Sequence, residues 1–256
     1  MTRLTKNNYY SPEMAKQFFT ASFCKAMLAC EAQAVAEWNG SWSRPASSAL
    51  LIGSYVDAAF ESVPSFERFK SNHPEIMKRD GTLKAEFAQA EGMIDRAKQD
   101  RVFMRFMKGQ HQKILTGEIE GFPFKAKLDI LQPKKAIIDL KTVKSFESVY
   151  IAGSGRVSFA EAWHWPLQMA IYQKLEGHGL PCFLACITKE NPPDIEIIEV
   201  PQEMMDAEMD LLMERMPRYD AIRNGLIEPE RCGHCAYCRE TKKLTEPRSL
   251  AEFEFE

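Results

Sequence analysis

Residues 117–146 read GEIEGFPFKAKLDILQPKKAIIDLKTVKSF, and this stretch decides the fold that we expect for the chain. Apolar and polar residues alternate in KILTGEIEG and in FPFKAKLDIL, on either side of a tight turn at Glu120-Gly121, which predicts two strands joined in a hairpin. The more continuously apolar segment AIIDLKTV follows the loop at 132–135 and predicts a third strand in a buried central position.

Helical spacing of apolar residues dominates the chain before this stretch. We expect helices over about 12–38, from Ser47 or Ser48 through LLIGSYVDAAF, and over about 83–107. After the three strands the pattern predicts a loop at Gly153, Ser154 and Gly155, and then a helix over about 159–176. Two strands, PCFLACITKE and DIEIIEV, a helix over about 201–224 and a loosely held tail, SLAEFEFE, complete the order.

This order predicts an α/β fold with a mixed central sheet flanked by helices and an N-terminal helical lobe. We divide the chain into a helical region at 1–110, an α/β core at 111–230 and a cysteine-rich end at 231–256, which together form one structural domain. The chain of 256 residues carries a net charge of −3, so any surface that binds nucleic acid must be locally basic. No apolar run is long enough to span a bilayer and no secretory signal precedes the first helix, so we expect a cytoplasmic protein without membrane contact.

Two aspartates and a lysine fall where the predicted strands end. Asp129 lies near the end of the second strand, and Asp139 and Lys141 lie two residues apart near the end of the third, with side chains on one face of the strand. Carboxylate oxygens hold Mg²⁺ or Mn²⁺, which polarise a phosphoryl oxygen and acidify a bound water, and a lysine can orient that water or neutralise developing charge. The combination therefore predicts hydrolysis of phosphodiester bonds.

An ion pair between Asp139 and Lys141 at the edge of the sheet is the simpler interpretation of D-x-K. Two features of the sequence weigh against it. The charges appear abruptly at the end of an apolar strand, where an unpaired charge is costly to bury, and a second acid lies one strand away.

The stretch resembles the RecB-like branch of the PD-(D/E)XK nucleases, in which a hairpin aspartate precedes a strand that ends in D-x-K. The following helix often carries Q-x-x-x-Y in that branch, and Gln168 and Tyr172 stand at this spacing in WPLQMAIYQ, on one helix face. The chain resembles most the phage exodeoxyribonucleases of the RecE and lambda-exonuclease kind, from about residue 10 to residue 243. The resemblance implies a restriction-endonuclease-like core and catalytic roles for five residues: Asp129, Asp139, Lys141, Gln168 and Tyr172. A polar patch on an amphipathic helix is the alternative for the last two.

The resemblance also implies a metal ligand on an upstream helix, commonly a histidine a few residues after a glycine. Here Asp57 stands four residues after Gly53, so it would add a carboxylate to the metal site of Asp129 and Asp139, although it could be an ordinary helix-surface aspartate. An all-oxygen site suits Mg²⁺. Glu118 is a weaker candidate for a metal ligand. Three lysines are candidates for binding DNA phosphates in the groove that would hold this metal site: Lys125, Lys127 and Lys144. The alternative for each is an ordinary surface lysine.

Seven cysteines are present, three of them in the heptapeptide CGHCAYC as Cys232, Cys235 and Cys238. An odd number of cysteines without a signal peptide argues against a disulfide framework and points to a metal. Three thiolates do not close a tetrahedral site, so we expect a fourth ligand in the N-terminal segment, Cys30 first and Cys24 as the runner-up.

The resemblance implies a [4Fe–4S] cluster at these cysteines, because similar nucleases hold one with one cysteine before the core and three after it. The last gap is usually longer in those nucleases, so Zn²⁺, with His234 as a further possible ligand, is an alternative, and a site without metal is another. Cys182 and Cys186 lie in a strand-like apolar run and are expected to be buried packing residues.

The predicted function is a Mg²⁺- or Mn²⁺-dependent exonuclease that trims linear duplex DNA in phage or prophage recombination. The family implies a partner protein that anneals the exposed single strand. The alternatives are a non-catalytic DNA-binding or assembly protein built around the cysteines and a structure-specific endonuclease on the same scaffold. Intact Asp129, Asp139 and Lys141 argue against a degenerate core, and the sequence predicts no particular oligomeric state.

Overall fold

The computed structural model of the chain describes residues 4–45, 47–151, 155–247 and 249. The predicted loop residues Gly153 and Ser154, and all of the predicted tail except Ser249, lie outside these ranges. The helices are α1 (Pro12–Gln17), α2 (Ala21–Ala29), α3 (Glu31–Trp38), α4 (Ser48–Glu61), α5 (Val63–Asn72), α6 (Ala85–Lys98), α7 (Arg101–Phe106), α8 (Phe159–Ala162), α9 (Trp165–Glu176), α10 (Gln202–Arg223) and α11 (Ala236–Glu240). The strands are β1 (Gln110–Ile119), β2 (Phe122–Gln132), β3 (Ala136–Val143), β4 (Val149–Ile151), β5 (Gly155–Val157), β6 (Cys182–Thr188) and β7 (Ile195–Glu199).

Five strands form the central sheet in the order β1-β2-β3-β6-β7, while β4 and β5 form a separate hairpin. Strands β3 and β6 run parallel, and the other neighbours in the central sheet run antiparallel. The parallel pair is connected by a crossover that contains α8 and α9. The predicted α/β fold with a mixed sheet flanked by helices is confirmed.

Helices cover both faces of the sheet. One hydrophobic cluster includes residues of α2, α9 and α10, and a second includes residues of α4, α6 and α7. Strand β3 contributes Ile137 to the first cluster and Ile138 and Leu140 to the second. Because side chains alternate along a strand, Asp139 and Lys141 lie on the face of Ile137, which is the face that α9 covers.

The hairpin of β1 and β2 turns at Glu120-Gly121, as predicted. Both residues have positive φ, 50° for Glu120 and 83° for Gly121, which is the backbone twist of a two-residue hairpin turn and suits the glycine at the second position.

The helix that we predicted over 12–38 is three helices, so that prediction is wrong in its continuity. Phe19 is extended between α1 and α2 and pairs with the hairpin: its amide donates to the carbonyl of Pro123 at 2.8 Å, and its carbonyl accepts from the amide of Lys125 at 3.0 Å. Thr20 then caps α2, and Cys30 is extended between α2 and α3. The breaks arise from contacts with distant segments, which helical periodicity does not record.

Two further predicted helices are also divided. Asp100 accepts from the amides of Val102 and Phe103 and so starts α7 after α6 has ended, within the predicted 83–107 segment. Trp163 and His164 separate α8 from α9, and His164 has a φ of 48°. Helices α5 and α11 and the β4–β5 hairpin were not predicted.

No helix among the described residues is both long enough and apolar enough to cross a membrane. The division at residues 110 and 230 stays a prediction.

Candidate active site

The candidate site lies where β2 and β3 separate. Strand β2 pairs with β3 only through Ile130, Leu131 and Gln132, and in this register the next pair would be Asp129 and Asp139. Instead the backbone amide of Leu140 donates to Oδ2 of Asp129 at 3.1 Å. We call this point, between Asp129 and Asp139, the strand fork. The strand fork places the carboxylates of Asp129 on β2 and Asp139 on β3 at the same gap between the two strands.

Asp139 and Lys141 form a close ion pair on β3. Asp139 is 1% exposed, and its Oδ2 lies 2.5 Å from Nζ of Lys141. No described residue donates a hydrogen bond of good geometry to that oxygen. Burial by itself would lower the pKa of Lys141, but the neighbouring Asp139 and Asp129 raise it above its usual value, so the ammonium form persists.

Gln168 of α9 holds several of these groups together. Its Nε2 donates to Oδ1 of Asp139 at 2.7 Å and to the hydroxyl of Tyr172 at 3.1 Å. Its Oε1 accepts from Nζ of Lys25 at 2.8 Å and lies 3.4 Å from Nζ of Lys141. Burial and the negative charge of Asp139 raise the pKa of Tyr172, so its phenol remains protonated. The Q-x-x-x-Y pair therefore faces the strand fork.

Helix α4 brings Asp57 to the other side of Asp129. Both carboxylates contact the amide of Gln112, whose Nε2 lies 3.2 Å from Oδ2 of Asp57 and 3.4 Å from Oδ1 of Asp129. Burial and the charge of Asp139 raise the pKa of Asp57 to about 6. Burial, Asp139 and Asp57 likewise raise the pKa of Asp129 well above its usual value. The charges of three carboxylates thus interact at the strand fork, where Asp139 is buried and Asp57 and Asp129 are half-buried.

These residues fit a divalent cation with oxygen ligands. Asp57, Asp129 and Asp139 repel one another, which is the condition that a bound Mg²⁺ or Mn²⁺ relieves. Oδ2 of Asp139 has the ammonium of Lys141 beside it but no hydrogen bond of good geometry among the described residues, so it keeps acceptor capacity that a cation could use. The donor set is oxygen alone, which suits Mg²⁺ and Mn²⁺.

Two cavities meet at this acidic group. One, of about 540 Å³, and the other, of about 820 Å³, share Asp57, Asp129 and Lys141 in their walls. The smaller cavity is also lined by Lys25, Lys127 and three tyrosines, and the larger by Lys144, Lys189 and two tryptophans. The acids therefore lie in the middle of a groove with ammonium groups on both sides.

The other candidates from the sequence are placed differently. Lys127 lines the smaller cavity and Lys144 the larger, as expected for phosphate contacts. Lys125 also lines the smaller cavity, but it is 3% exposed and its Nζ donates to the carbonyl of Tyr9 at 2.5 Å, so it fastens the N-terminal segment. Glu118 is exposed on β1 and lines neither cavity.

Two residues of the site were missed by the sequence analysis. Lys25 is the one lysine in the otherwise mostly apolar segment ASFCKAMLA. A single charged residue in such a segment could have marked Lys25 as a candidate site residue. Gln112 carries no such signal. Its φ of 52° is in the left-handed region, which few glutamines inside a strand adopt, and only the structure reveals it.

A second group of potential ligands lies away from the strand fork, where the two ends of the chain meet. Sγ atoms of four cysteines all lie within 4.8 Å of one another: Cys30, Cys232, Cys235 and Cys238. Cys24, the runner-up, is buried instead in the hydrophobic cluster of α2, α9 and α10, and His234 is exposed and outside the group. Cys182 and Cys186 are buried packing residues in that same hydrophobic cluster, as predicted.

Ion pairs hold the chain in place beside these cysteines. The guanidinium of Arg218 binds both carboxylate oxygens of Glu31 at 2.8 Å and Oε1 of Glu230 at 3.1 Å. The amide of Glu230 donates to Glu31 at 2.8 Å, and the carbonyl of Glu230 accepts from the amide of Ala32 at 3.0 Å. The segment that leads into the cysteines is thereby fixed against the start of α3.

A mixed sheet that opens between two aspartate-bearing strands, with D-x-K on the central one, defines the class as the PD-(D/E)XK nuclease superfamily, as predicted. Within this class the chain belongs to the family described as "PDDEXK-like domain of unknown function (DUF3799)", whose sequence profile matches residues 20–241. The structure is similar to a crystal structure of a "Putative exonuclease" from Eubacterium rectale, with 38% sequence identity and a TM-score of 0.92 over 98% of this chain and 97% of that chain. No curated protein matches the sequence.

Proposed function

We propose that this protein is a Mg²⁺- or Mn²⁺-dependent deoxyribonuclease that degrades linear duplex DNA from its ends. The observation that carries the proposal is the convergence of Asp57, Asp129, Asp139 and Lys141 at the strand fork, in the middle of a groove. Membership of the PDDEXK-like family supports phosphodiester hydrolysis. The exonuclease mode rests on the resemblance in sequence and on the name of the E. rectale protein.

The three carboxylates are the residues that would hold the metal. A bound Mg²⁺ or Mn²⁺ would polarise a phosphoryl oxygen and lower the pKa of a bound water. The charge pattern fits this task, because the three carboxylates raise one another's pKa in a partly buried place, and a cation would offset their charge.

Lys141 is the residue placed to handle the attacking water. Its ammonium group is kept protonated by Asp139 and Asp129, so it donates hydrogen bonds and cannot itself act as the base at neutral pH. It can orient a water and offset negative charge that develops on the phosphate. Gln168 limits the motion of both partners, since its amide contacts Asp139 through one atom and Lys141 through the other.

The lysines of the groove would position the DNA backbone. Lys25 and Lys127 lie on one side of the acids, and Lys144 and Lys189 on the other. These ammonium groups favour phosphates without reading sequence. A locally basic groove of this kind is compatible with the net charge of −3 of the whole chain.

The test is cleavage of linear and of covalently closed circular duplex DNA, with Mg²⁺, Mn²⁺ or EDTA. We expect metal-dependent loss of the linear duplex only, and no loss with Asp139→Asn. The matched control is Glu118→Gln, which neutralises an exposed acid on β1 outside the groove and should leave the rate unchanged. Cutting of the circle would replace the exonuclease by an endonuclease. If neither DNA is cut by folded protein with metal, the enzymatic proposal fails in favour of a DNA-binding or assembly role.

Two broader parts of the proposal come from the resemblance. A single-strand annealing protein as partner, in phage or prophage recombination, is tested by co-purification with the native chain. A reducing compartment such as the cytoplasm is consistent with seven cysteines of which none forms a disulfide.

A further inference from the structure

The cysteine group has sulfur spacings that distinguish between kinds of metal centre. Sγ of Cys30 lies 3.6 Å from Sγ of Cys238, which lies 4.0 Å from Sγ of Cys232. No pair among the four sulfurs, with Cys235 included, is separated by more than 4.8 Å.

A single tetrahedral ion and an iron–sulfur cube require different spacings. Four thiolates about 2.3 Å from one Zn²⁺ ion lie about 3.8 Å from one another by tetrahedral geometry. In a [4Fe–4S] cluster each thiolate binds a different corner iron, so the sulfur atoms stand roughly 6 Å apart. The observed spacings fit one ion, and the cube that the family resemblance implies does not fit between these four sulfurs.

The local backbone supports metal binding at these cysteines. The amide of Cys235 donates to Sγ of Cys232 at 3.3 Å, and the amide of Cys238 donates to Sγ of Cys235 at 3.4 Å. Gly233, with a φ of 83°, allows the tight turn that directs these amides at the sulfur atoms. Amide donors of this kind stabilise the thiolate form, which is the form that binds metal.

The position of the cysteine group indicates a structural role. Cys30 lies at the break between α2 and α3, and the other three lie about 200 residues later: Cys232 and Cys235 before α11, and Cys238 within it. The ion pairs of Arg218 with Glu31 and Glu230 hold the two segments together from outside the cysteine group. All four ligand positions are taken by protein thiolates, which is the closed arrangement of structural zinc sites and leaves no position for a substrate.

We propose that Cys30, Cys232, Cys235 and Cys238 bind one Zn²⁺ ion in a closed structural site, and not an iron–sulfur cluster. This proposal does not depend on the proposed nuclease activity, because its test reads metal content.

The test is metal analysis of the full chain produced in iron-supplemented cells and purified without oxygen, so that an iron–sulfur cluster would survive. We expect about one zinc per chain, no acid-labile sulfide and no visible charge-transfer absorption. X-ray absorption at the zinc edge should give a shell of sulfur alone at about 2.3 Å. About four iron and four sulfide ions per chain would overturn the proposal. A chain that contains neither zinc nor iron would overturn it too.

Variants check the ligand assignment. Cys232→Ser and Cys238→Ser should each lose the zinc, whereas Cys24→Ala, at a buried cysteine outside the group, should keep it. Full zinc occupancy in Cys232→Ser would refute the assignment. If the serine variants do not fold, the zinc of the unaltered chain is replaced by Co²⁺ and its absorption spectrum is recorded. A spectrum without the ligand-field bands of a tetrahedral tetrathiolate would refute the ligand assignment.

Discussion

Nζ of Lys25 donates a hydrogen bond of 2.8 Å to Oε1 of Gln168, 143 positions later in the chain. Nε2 of the same amide contacts Asp139 of β3. Gln168 therefore connects α2, near the N-terminus, with the strand that carries D-x-K. The first helices are part of the wall of the groove, so substitutions in them should affect the site directly.

Lys25 should contribute to DNA binding in a way that depends on pH. Burial and the charge of Lys141 outweigh the attraction of Asp139 and Glu208 and lower the pKa of Lys25 to about 8. Its ammonium form, present below this pKa, binds phosphate. Above pH 8 one proton must be taken up on binding, so the contribution of Lys25 should fall by up to about tenfold for each pH unit. Lys25→Arg should remove this dependence, because arginine stays charged.

Fluorescence anisotropy with labelled duplex in EDTA measures this effect, since no cleavage is expected there. Lys25→Met should weaken binding at pH 7 by about tenfold and lower the salt slope by about one. The control is Lys113→Met, an exposed lysine on β1 that lines neither cavity. Equal affinities of the two methionine variants would contradict the role given to Lys25.

The left-handed backbone at Gln112 predicts an unusual order of stability between two substitutions. Gln112→Gly and Gln112→Ala both remove the amide that contacts Asp57 and Asp129, but only glycine adopts a φ of 52° without strain. We expect the glycine variant to be more stable than the alanine variant by about 1 kcal/mol. Urea unfolding measures the difference, and an alanine variant as stable as the glycine variant would show that Gln112 is not held in this conformation.

Divalent metal should stabilise the fold through the three carboxylates. Mn²⁺ or Mg²⁺ at about 100 times its dissociation constant should raise the free energy of unfolding by about 2.7 kcal/mol. Asp57→Asn should raise the thermal midpoint in EDTA, because it removes one of the repelling charges, and should reduce the increase on adding metal. Asp95→Asn, at an exposed position on α6, is the control. The same metal-induced shift in both variants would exclude Asp57 as a ligand.

Loss of a cysteine ligand should affect stability more than chemistry. Cys232→Ser would release a link between segments about 200 residues apart, which should lower the free energy of unfolding by about 2–5 kcal/mol. Cleavage per folded molecule should change little, because the cysteine group lies outside the groove. Thermal unfolding and the rate below the transition separate the two effects. An unchanged thermal midpoint would rule out a linking role.

The central part of the fold could be predicted from the sequence because its signals are local. Alternation of apolar residues, the turn at Glu120-Gly121 and the apolar run from Ala136 to Val143 each depend on residues that are neighbours in the chain. The same local period of two places Asp139 and Lys141 on one face. The class of the protein, the hairpin and the strand that carries D-x-K were therefore determined by the sequence itself.

The remaining features depend on contacts between segments far apart in the chain, which no local pattern encodes. Phe19 breaks the first predicted helix because it pairs with a hairpin about 100 residues later, and this break sets the direction of α2. Packing against the hydrophobic cluster buries Cys24, while the end of α2 leaves Cys30 to meet Cys238. Tertiary structure alone decided which cysteine joins the group, how far apart its sulfurs lie and that Lys25 reaches Gln168, because side-chain distances are fixed only when the elements have packed.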